Sequence, residues 1–367
     1  MTWTLHVDRS DIAEVDWRET PPQPLEEGQV RLEVERFGLS ANNVTYATLG
    51  KALQYWQFFP TEDPATGCVP VWGYATVAES RTDEVSVGQR VYGYLPFATD
   101  VIVTPARVRA DGFVDGSEHR AELPAAYNAY TLVEERDRDD EAYEALLRPL
   151  FVTSMLIGDQ LAEEDFFGAE SVLVSSASSK TAYGTAYALR HTAGASRGGG
   201  PEGRREVVGL TSAERVEATA ALDLYDRVLA YDDIATLDAH RPTVYVDISG
   251  SYEVRAAVHR HCSDLRYDCA VGLTHRDDTG DTSELPGPEA VFFFAPSEWA
   301  RQASNRGREE QARRVDAGVE SFVQRASDPA DPLMTLRWVE GRDEAAAAWR
   351  EMVAGRTGPA EGVAVSL

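Results

Sequence analysis

The first third of the chain alternates apolar and polar residues with a period of two, which is the pattern of half-buried β-strands. The segment "QVRLEVERF" at 29–37 alternates most clearly, and "VPVWGYATVAES", "RVYGYL" and "DVIVTP" follow it as further short strands. Glycine and proline separate these segments, as in "SVGQRVYGYLP", and such spacing is typical of turns between strands. The pattern predicts a β-rich first domain.

The pattern changes after "EERDRDDEAYEALLRPLFVTSMLIGDQLAEED", which predicts a helix with apolar residues dense enough for it to be largely buried. From Phe167 onward, strand segments alternate with helical ones. The strand segments are "SVLVSS", "EVVGLT", "DRVLAY", "TVYVDIS", "CAVGLTH" and "AVFFFAP", and the helical segments are "KTAYGTAYALRHT", "SAERVEATAAL" and "SYEVRAAVHRHCSDL". This alternation predicts βαβ units and a parallel sheet with helices on both faces. The chain closes with an amphipathic helix, "RDEAAAAWREMVAG", and a strand, "GVAVSL".

Charge is the compositional feature that most changes this picture. The 367 residues carry a formal net charge of -26, and Lys51 and Lys180 are the two lysines. We expect neither nucleic acid nor an anionic membrane as a partner, because both require clustered cations. An acidic chain with little lysine favours a protein that stays soluble at high salt. A genome that encodes arginine in place of lysine would produce the same scarcity of lysine.

Length and cysteine content narrow the class of protein further. A chain of 367 residues favours two domains, at about 150 residues each. Its three cysteines are an odd and sparse set, which suits a reducing compartment without structural disulfides. The beginning, "MTWTLHVDRSDIAE", lacks the basic start and apolar core of a signal peptide, and no apolar run is long enough to span a bilayer. These features predict a cytoplasmic location.

The segment "VLVSSASSKTAYGTAYALR" at 172–190 has the order strand, small-residue turn, helix. Ligands of open parallel sheets bind at the carboxyl ends of the strands, and the N–H groups of a helix N-terminus bind phosphate. The serine hydroxyls and the ammonium of Lys180 can add to such a site, although a solvated lysine at the turn stays an alternative. The glycine-rich "SRGGGPEG" at 196–203 precedes a strand, so it predicts a surface linker and not a phosphate loop.

Two other kinds of site are suggested by short motifs. "SSKT" is similar to the end of the nucleotide loop G-x-x-x-x-G-K-[ST], but Val174 and Ser179 occupy its glycine positions. A P-loop-like nucleotide hydrolase therefore stays an alternative. His259, His261 and Cys262 have the composition of a metal cluster, but helical spacing puts 259 and 262 on one face without 261. A solvated amphipathic helix is the favoured interpretation there.

The same segment resembles "VLV-x-G-A-A-G-G-V-G-x-A-A-x-Q-L-A-K" of the medium-chain dehydrogenase/reductase superfamily, in its zinc-independent quinone-reductase-like branch. Further segments resemble that branch in order and spacing: "EVVGLTSAERVEATAALDLYDRVLAYDD", "YVDISG", "VFFFAP", "GLSANNVTYATLG", "VSVGQRVYGY" and "GRTGPAEGVAVSL". The resemblance covers almost the whole chain and is weakest at the glycines. The zinc-dependent members have a cysteine at the start of the catalytic helix and a lobe of four cysteines, and both are missing from this sequence.

The resemblance implies an α/β fold with a Rossmann doubly wound parallel sheet and a GroES-like β-rich catalytic domain. The GroES-like domain would span 1–145 and 305–367, and the Rossmann domain 146–304. The implied cofactor is NADP(H), because Thr211 and Ser212 replace the acidic residue that selects NAD and Arg215 follows as a cation. The implied cofactor-binding residues are Ser176, Ser178, Ser179, Lys180, Thr181, Ala182, Thr211, Ser212, Arg215, Tyr231, Ser249 and Phe294. No metal site is implied.

The implied activity is hydride transfer from NADPH to the carbonyl, quinone or activated C=C group of a small-molecule substrate. Tyr46 and Asn43 are the candidate catalytic residues, because a phenol at Tyr46 can hydrogen-bond a substrate oxygen. Packing of Tyr46 in the protein interior and a turn at Asn43 stay open as alternatives. A catalytically silent NADPH-binding or redox-sensing protein is the alternative function. Members of this branch often form dimers, so a homodimer through the Rossmann sheet edge at "AVFFFAP" is a further expectation.

Overall fold

A computed structural model of the chain describes residues 1–191, 205–272 and 284–367. The chain forms two compact units, Met1–Pro149 with Ala326–Leu367, and Leu150–Arg325. Residues 305–325, assigned to the β-rich domain in the sequence interpretation, thus lie in the second unit, where Phe322 stacks on Phe151 with ring centroids 4.2 Å apart. The linker predicted at 196–203 lies outside the described residues.

The strands and helices are numbered along the chain. The strands are β1 (Thr2–Asp8), β2 (Val15–Thr20), β3 (Val30–Leu39), β4 (Thr66–Cys68), β5 (Pro70–Ser80), β6 (Arg90–Pro96), β7 (Asp100–Val103), β8 (Pro105–Arg109), β9 (Gly112–Asp115), β10 (Ala129–Val133), β11 (Ser171–Val174), β12 (Glu206–Thr211), β13 (Arg227–Ala230), β14 (Thr243–Asp247), β15 (Leu265–Ala270), β16 (Ala290–Phe292), β17 (Thr335–Glu340) and β18 (Glu361–Ser366). The α-helices are α1 (Ala41–Thr48), α2 (Arg138–Glu163), α3 (Lys180–His191), α4 (Val216–Ala220), α5 (Tyr252–His261), α6 (Ala295–Arg306), α7 (Arg308–Ala326) and α8 (Arg342–Val353).

The first unit is β-rich, as its alternating sequence predicts. It contains a three-stranded sheet in the order β2-β1-β4 and a nine-stranded sheet in the order β17-β18-β3-β5-β6-β10-β9-β8, with β7 paired to β3. The core between these strands is apolar and aromatic, with Phe37, Phe58 and Tyr94 fully buried. Trp349 of α8 is also fully buried, and its ring N–H donates to the Ile12 carbonyl at 2.8 Å. This bond ties the C-terminal helix to the N-terminal part of the chain.

The second unit contains a six-stranded sheet in which every adjacent pair is parallel. The strand order is β13-β12-β11-β14-β15-β16, which is the 3-2-1-4-5-6 order of a doubly wound dinucleotide-binding sheet. The chain reverses its direction of winding between β11 and β14, and ligands of such sheets bind at that reversal, beyond the carboxyl ends of the strands. The turn predicted to bind phosphate follows β11 and lies at this point. The predicted fold class is thus confirmed.

Two segments of the second unit differ from the pattern-based assignment. "AVFFFAP" was expected to be one strand, but β16 ends at Phe292 and α6 begins at Ala295. Pro296 lies in the first turn of α6, where its missing N–H costs no intrahelical bond. The helix expected for "SAERVEATAAL" is only the short α4, preceded by a 3-10 turn at Ala213–Arg215.

Helix α2 is the longest helix among the described residues. Asp139, Asp140 and Glu141 occupy its first turn, where carboxylates face the positive end of the helix dipole. Nowhere in residues 1–191, 205–272 and 284–367 does a helix combine the length and the apolar character needed to cross a membrane.

Candidate functional site

The turn after β11 contains a residue in the left-handed backbone region. Ser176 has a φ of 51°, which glycine adopts freely and which costs other residues about 1–2 kcal/mol. The N–H of Ser176 donates to the Tyr231 hydroxyl at 3.0 Å, and the N–H of Ser179 donates to the Ser176 carbonyl at 2.7 Å. The turn thus keeps at Ser176 the backbone shape that glycine usually provides, with the Tyr231 phenol as an external support.

The next residue of the turn packs closely on the neighbouring strand β12. A Cβ added to Gly209 of β12 would lie 2.8 Å from the Cβ of Ala177, so a larger residue at either position would push the turn away. The N–H of Ala177 donates to the Leu210 carbonyl at 2.9 Å, and the Tyr225 hydroxyl donates to the Ala177 carbonyl at 2.9 Å. Small size at Ala177 and Gly209 therefore sets the close approach of strand and turn.

The N-terminus of α3 is held firmly behind the turn. The N–H of Ala182 donates to the Ser179 hydroxyl at 3.3 Å, so Ser179 binds one of the free N–H groups of the first turn. The hydroxyl of Ser154, on α2, donates to the Thr181 carbonyl at 2.9 Å. Lys180 is the first residue of α3 and is half-buried. The positive end of the α3 dipole thus faces the turn, as an anion site requires.

A hydroxyl and guanidinium cluster lies beside the turn, at the carboxyl end of β12. The Ser178 hydroxyl accepts from the Thr211 hydroxyl at 3.5 Å and from the Arg215 guanidinium at 3.4 Å. The Ser212 hydroxyl instead donates to the carboxylate of Glu214 at 2.7 Å. That hydrogen bond lowers the pKa of the exposed Glu214 carboxyl, which is therefore ionised at neutral pH. Three predicted residues come together here, while Ser212 pairs with a carboxylate that sequence reasoning missed.

A second turn, after β14, is tied to the first through Ser175. The buried Ser175 hydroxyl donates to Asp247 at 2.8 Å and accepts from the N–H groups of Ile248 at 2.9 Å and Ser249 at 3.0 Å. The predicted residue Ser249 is itself buried, and its hydroxyl donates to Asp247 at 2.8 Å. Sequence reasoning missed Ser175 and Asp247, although "YVDISG" was recognised as a strand end.

Phe294 lies apart from the turn. It is the residue before α6, three strands across the sheet from β11, and its ring stacks on that of Phe292 at 6.4 Å. The other predicted residues of the second unit lie at the carboxyl end of β12 or follow β11, β12, β13 or β14, which are the four strands around the reversal of winding.

Tyr46, the first candidate catalytic residue, is buried in the first unit. Its hydroxyl accepts from the Asn42 amide at 2.7 Å and from the Trp72 ring N–H at 3.1 Å, and its ring packs against Tyr55 with centroids 4.6 Å apart. Burial, reinforced by the neighbouring Tyr55 phenol, raises the pKa of Tyr46 far above its ordinary value. The phenol is therefore fully protonated at neutral pH and can act only as a hydrogen-bond donor or acceptor.

Asn43, the second candidate, is committed to the start of α1. Its side-chain carbonyl accepts from the N–H of Ser40 at 2.8 Å, and its amide donates to the Pro70 carbonyl at 2.9 Å. This arrangement is a capping box, with Ser40 as the N-cap. Asn42, and not Asn43, is the asparagine that contacts the phenol of Tyr46.

No group of three or more histidine, cysteine, aspartate or glutamate side chains is arranged to hold a metal ion within the part of the chain that the structure describes. The three cysteines are buried, and burial raises the pKa of Cys262 to about 11.

A family model described as "Protein of unknown function (DUF2855)" matches residues 37–358. No curated protein matches the sequence significantly. Solved structures that are similar along the full length of the chain include the following three. CurA from Vibrio vulnificus in complex with NADPH has a TM-score of 0.61 and 11% identity, over 100% of this chain and 99% of that chain. A putative NADPH:quinone reductase from Bacillus thuringiensis has a TM-score of 0.56 and 12% identity, and the CurK enoyl reductase has 0.55 and 14%, each over 100% of this chain and 99% of that chain. At these identities the likeness shows the fold, a Rossmann domain with a GroES-like domain.

Proposed function

The chain belongs to the DUF2855 family of proteins of unknown function, and for this member we propose an NADPH-dependent oxidoreductase that acts on a small-molecule substrate. The observation that carries the proposal is the left-handed turn at Ser176, between β11 and the N-terminus of α3. It lies where a doubly wound sheet of this strand order binds the pyrophosphate of a dinucleotide. The solved structures of similar fold include one that contains NADPH.

The residues around the turn fit a phosphorylated dinucleotide. The N-terminus of α3 and the hydroxyls of Ser178 and Ser179 would hold the pyrophosphate. The exposed guanidinium of Arg215 and the Thr211 hydroxyl would hold the 2′-phosphate, since both reach the Ser178 hydroxyl beside the turn. A 2′-phosphate is favoured by a cation at this position, whereas NAD is favoured by a carboxylate that binds the ribose 2′-OH. The ionised carboxylate of Glu214 lies next to Arg215 and would repel a 2′-phosphate. The preference for NADPH over NADH therefore depends on the guanidinium of Arg215.

NADPH, when bound, supplies a hydride for a carbonyl, a quinone or an activated C=C group. In this scheme the protonated phenol of Tyr46 is the donor that stabilises negative charge on the substrate oxygen. Its hydroxyl accepts from Asn42 and Trp72, which would fix the orientation of the phenol. The proposal includes no zinc ion, because α1 carries neither the cysteine nor the histidine of the zinc-dependent reductases that the sequence resembles.

A second candidate function is NADPH binding without catalysis, as in a sensor of the cofactor. Two observations favour it: the phenol of Tyr46 is buried among aromatic rings, and the amide of Asn43 is committed to the start of α1. Such a sensor would respond to the binding of NADPH and not to oxidation of its cysteines. Burial raises the pKa of Cys262 to about 11 and that of Cys68 to about 12, so these thiols stay protonated and unreactive.

Fluorescence titration of the protein with NADPH and with NADH tests the cofactor assignment. We expect NADPH to bind at least about tenfold more tightly, a difference of about 1.4 kcal/mol. Oxidation of NADPH is then followed with a quinone and with an enone as acceptor. Failure of both cofactors to bind would overturn both candidate functions, and NADPH binding without turnover of either acceptor would favour the sensor.

We also propose a homodimer joined through β16. Among the described residues β16 pairs with β15 alone, and its Val291 and Phe292 are 47% and 46% exposed. Exposed apolar residues on an unpaired edge strand are typical of strand-to-strand association. Sedimentation velocity should give the mass of a dimer for the native chain and of a monomer for Phe292→Lys, whereas a native monomer would contradict the proposal.

A further inference from the structure

Four ionisable side chains form a connected row next to the two turns of the candidate site. Asp247 and Asp268 sit on the neighbouring parallel strands β14 and β15, and both are fully buried. Arg255, on α5, bridges them: one terminal nitrogen donates to Asp247 at 2.7 Å, and its Nε lies 3.3 Å from Asp268. His259, one helical turn further along α5, places its Nε2 2.9 Å from the same Asp268 oxygen. The row of contacts therefore runs from Asp247 through Arg255 and Asp268 to His259.

The two ring nitrogens of His259 both face oxygen atoms. Its Nδ1 lies 2.8 Å from the Pro286 carbonyl oxygen, which can only accept a hydrogen bond. Its Nε2 faces an Asp268 oxygen that also lies beside the guanidinium of Arg255, so that oxygen is a carboxylate acceptor and not a protonated donor. This arrangement suits an imidazolium, in which both ring nitrogens carry a proton and donate. With His259 in this form, the buried set would contain two negative and two positive side chains and would be electrically neutral.

Asp247, at the other end of this row, contacts the candidate cofactor turn through Ser175. One oxygen of Asp247 accepts from the hydroxyls of Ser175 and Ser249, both at 2.8 Å, and from the N–H of Gly250 at 3.0 Å. The other oxygen of Asp247 accepts from Arg255. Ser175 in turn binds the N–H groups that follow β14, so this single carboxylate joins the turn after β11 to the turn after β14.

Two other ionisable side chains among the described residues lie close to this set, on β14 and β15. Burial raises the pKa of the Tyr245 phenol on β14 and of the Cys269 thiol on β15, so both stay neutral. Of the described residues before β16, Pro286 places its uncharged carbonyl against the ring of His259. On α5 itself, His261 points elsewhere, with its Nε2 2.8 Å from the Leu237 carbonyl.

We propose that His259 is a positioning residue for the cofactor turn, and that its imidazolium form holds the turn in the shape that binds NADPH. A neutral ring can donate to only one of its two acceptors, and it leaves Asp268 with Arg255 as its single cation. Arg255 is then drawn from Asp247 towards Asp268, because two buried carboxylates share one positive charge. Asp247 then loses its cation, and the hydrogen bond that it accepts from Ser175 weakens.

The sign of the pH dependence follows from this arrangement. The proposal makes the ordered turn depend on the protonated form of His259, so raising the pH should weaken the order of the turn. The inference rests on the proposed binding of NADPH at this turn. The 2′-phosphate of NADPH also changes charge near pH 6, so the informative quantity is the ratio of two dissociation constants at each pH.

The experiment compares the native chain with His259→Gln and with the matched control His261→Gln. NADPH dissociation constants are measured from about pH 5 to about pH 8, the range in which histidine changes charge. We expect His259→Gln to bind about tenfold more weakly than the native chain at the acidic end, with the ratio approaching one at the alkaline end. His261→Gln should follow the native chain throughout. A ratio for His259→Gln that is the same at every pH would assign the residue a purely structural role and overturn the proposal.

Hydrogen exchange of the native chain without cofactor provides a second test, which needs neither a folded variant nor NADPH. The amides of Ile248 and Ser249 donate to the Ser175 hydroxyl, so their protection factors report on the join between the two turns. We expect their protection to fall as the pH is raised from about 5 to about 8, while the amide of Val207, which donates to Asp226, keeps its protection. Constant protection of all three would overturn the inference. Absence of NADPH binding with the expected exchange pattern would overturn only the proposed function.

Discussion

The backbone N–H of Ser176 donates to the hydroxyl of Tyr231 at 3.0 Å, so a phenol from the segment after β13 supports the left-handed turn after β11. In a glycine-containing turn the backbone adopts this conformation without strain. Here a serine adopts it, and the partner of its N–H lies outside the turn. The shape of the candidate phosphate site thus depends on a residue more than 50 positions away along the chain.

Replacing Tyr231 by phenylalanine tests this dependence. Tyr231→Phe removes the acceptor of the Ser176 N–H, and a donor left without its partner costs about 1–3 kcal/mol when it is buried. We expect NADPH to bind about tenfold more weakly by fluorescence titration. Tyr143→Phe is the matched control, because its hydroxyl donates to the Met334 carbonyl and both residues belong to the first unit. Equal affinities in the two variants would mean that the turn keeps its shape without Tyr231.

The strain at Ser176 predicts the effect of a glycine on stability. Ser176→Gly relieves the left-handed conformation, and this gain of about 1–2 kcal/mol exceeds the cost of about 0.5–1 kcal/mol that glycine adds through the unfolded chain. We expect the free energy of unfolding to stay level or to rise by up to about 1.5 kcal/mol. The matched change Ser178→Gly, at a position without a positive φ, should lower it. Chemical denaturation measures both, and a loss of stability in Ser176→Gly equal to that in Ser178→Gly would contradict the argument.

The fold could be predicted because its signals are local and repeat along the sequence. The two-residue alternation of "QVRLEVERF" corresponds to β3 over Val30–Leu39, and "KTAYGTAYALRHT" corresponds to α3 over Lys180–His191. The end of β16 was not predicted, because "AVFFFAP" is uniformly apolar and Pro296 is as compatible with a helix start as with a strand end.

The site residues could be predicted only where their order and spacing in the sequence match those of the family that the sequence resembles. The resemblance placed Ser178, Thr211 and Arg215 in one site, and the structure brings their polar atoms together. The burial of His259 was not predicted. Helical spacing indicates which residues share a face of α5, but it does not indicate which residues pack against that face. The carboxylate that it meets, Asp268, comes from β15, and its position depends on the packing of the sheet.

Cofactor preference should depend on Arg215 and Glu214 in opposite directions. Arg215→Ala removes the cation beside Ser178, and we expect NADPH affinity to fall about tenfold with NADH affinity unchanged. Glu214→Gln removes a carboxylate that is ionised at neutral pH, so NADPH should bind a few-fold more tightly because the repulsion of its 2′-phosphate is reduced. Arg227→Ala, which removes an arginine from β13 that pairs with Glu206, is the control. If Arg215→Ala weakens both cofactors equally, the guanidinium does not recognise the 2′-phosphate.

The high negative charge predicts that salt stabilises the fold. A net charge of -26 gives repulsion that is screened beyond about 10 Å at 0.1 M salt and beyond about 3 Å at 1 M. We expect the midpoint of thermal unfolding to rise by about 10 °C, or roughly 3 kcal/mol, between low and molar KCl. Glycine betaine, a zwitterion that does not screen charge, is the control at equal osmolality. A midpoint that does not change with KCl, or that rises equally with betaine, would show that charge repulsion is not the cause.

The phenol of Tyr46 separates the two candidate functions. Tyr46→Phe removes the proposed donor while leaving the ring in its aromatic surroundings, and for an enzyme we expect kcat to fall at least about tenfold with the NADPH dissociation constant unchanged. The donor form is present below the pKa of the phenol and is lost as the pH rises through it, and burial raises that pKa far above its ordinary value. Turnover that depends on Tyr46 should therefore not decline up to about pH 10, where an ordinary tyrosine would ionise. Tyr74→Phe is the matched control, because its buried phenol contacts Glu144 and Arg136 and not Tyr46. Equal kcat values in the two variants would remove Tyr46 from catalysis, and the sensor would then be the better account of the site.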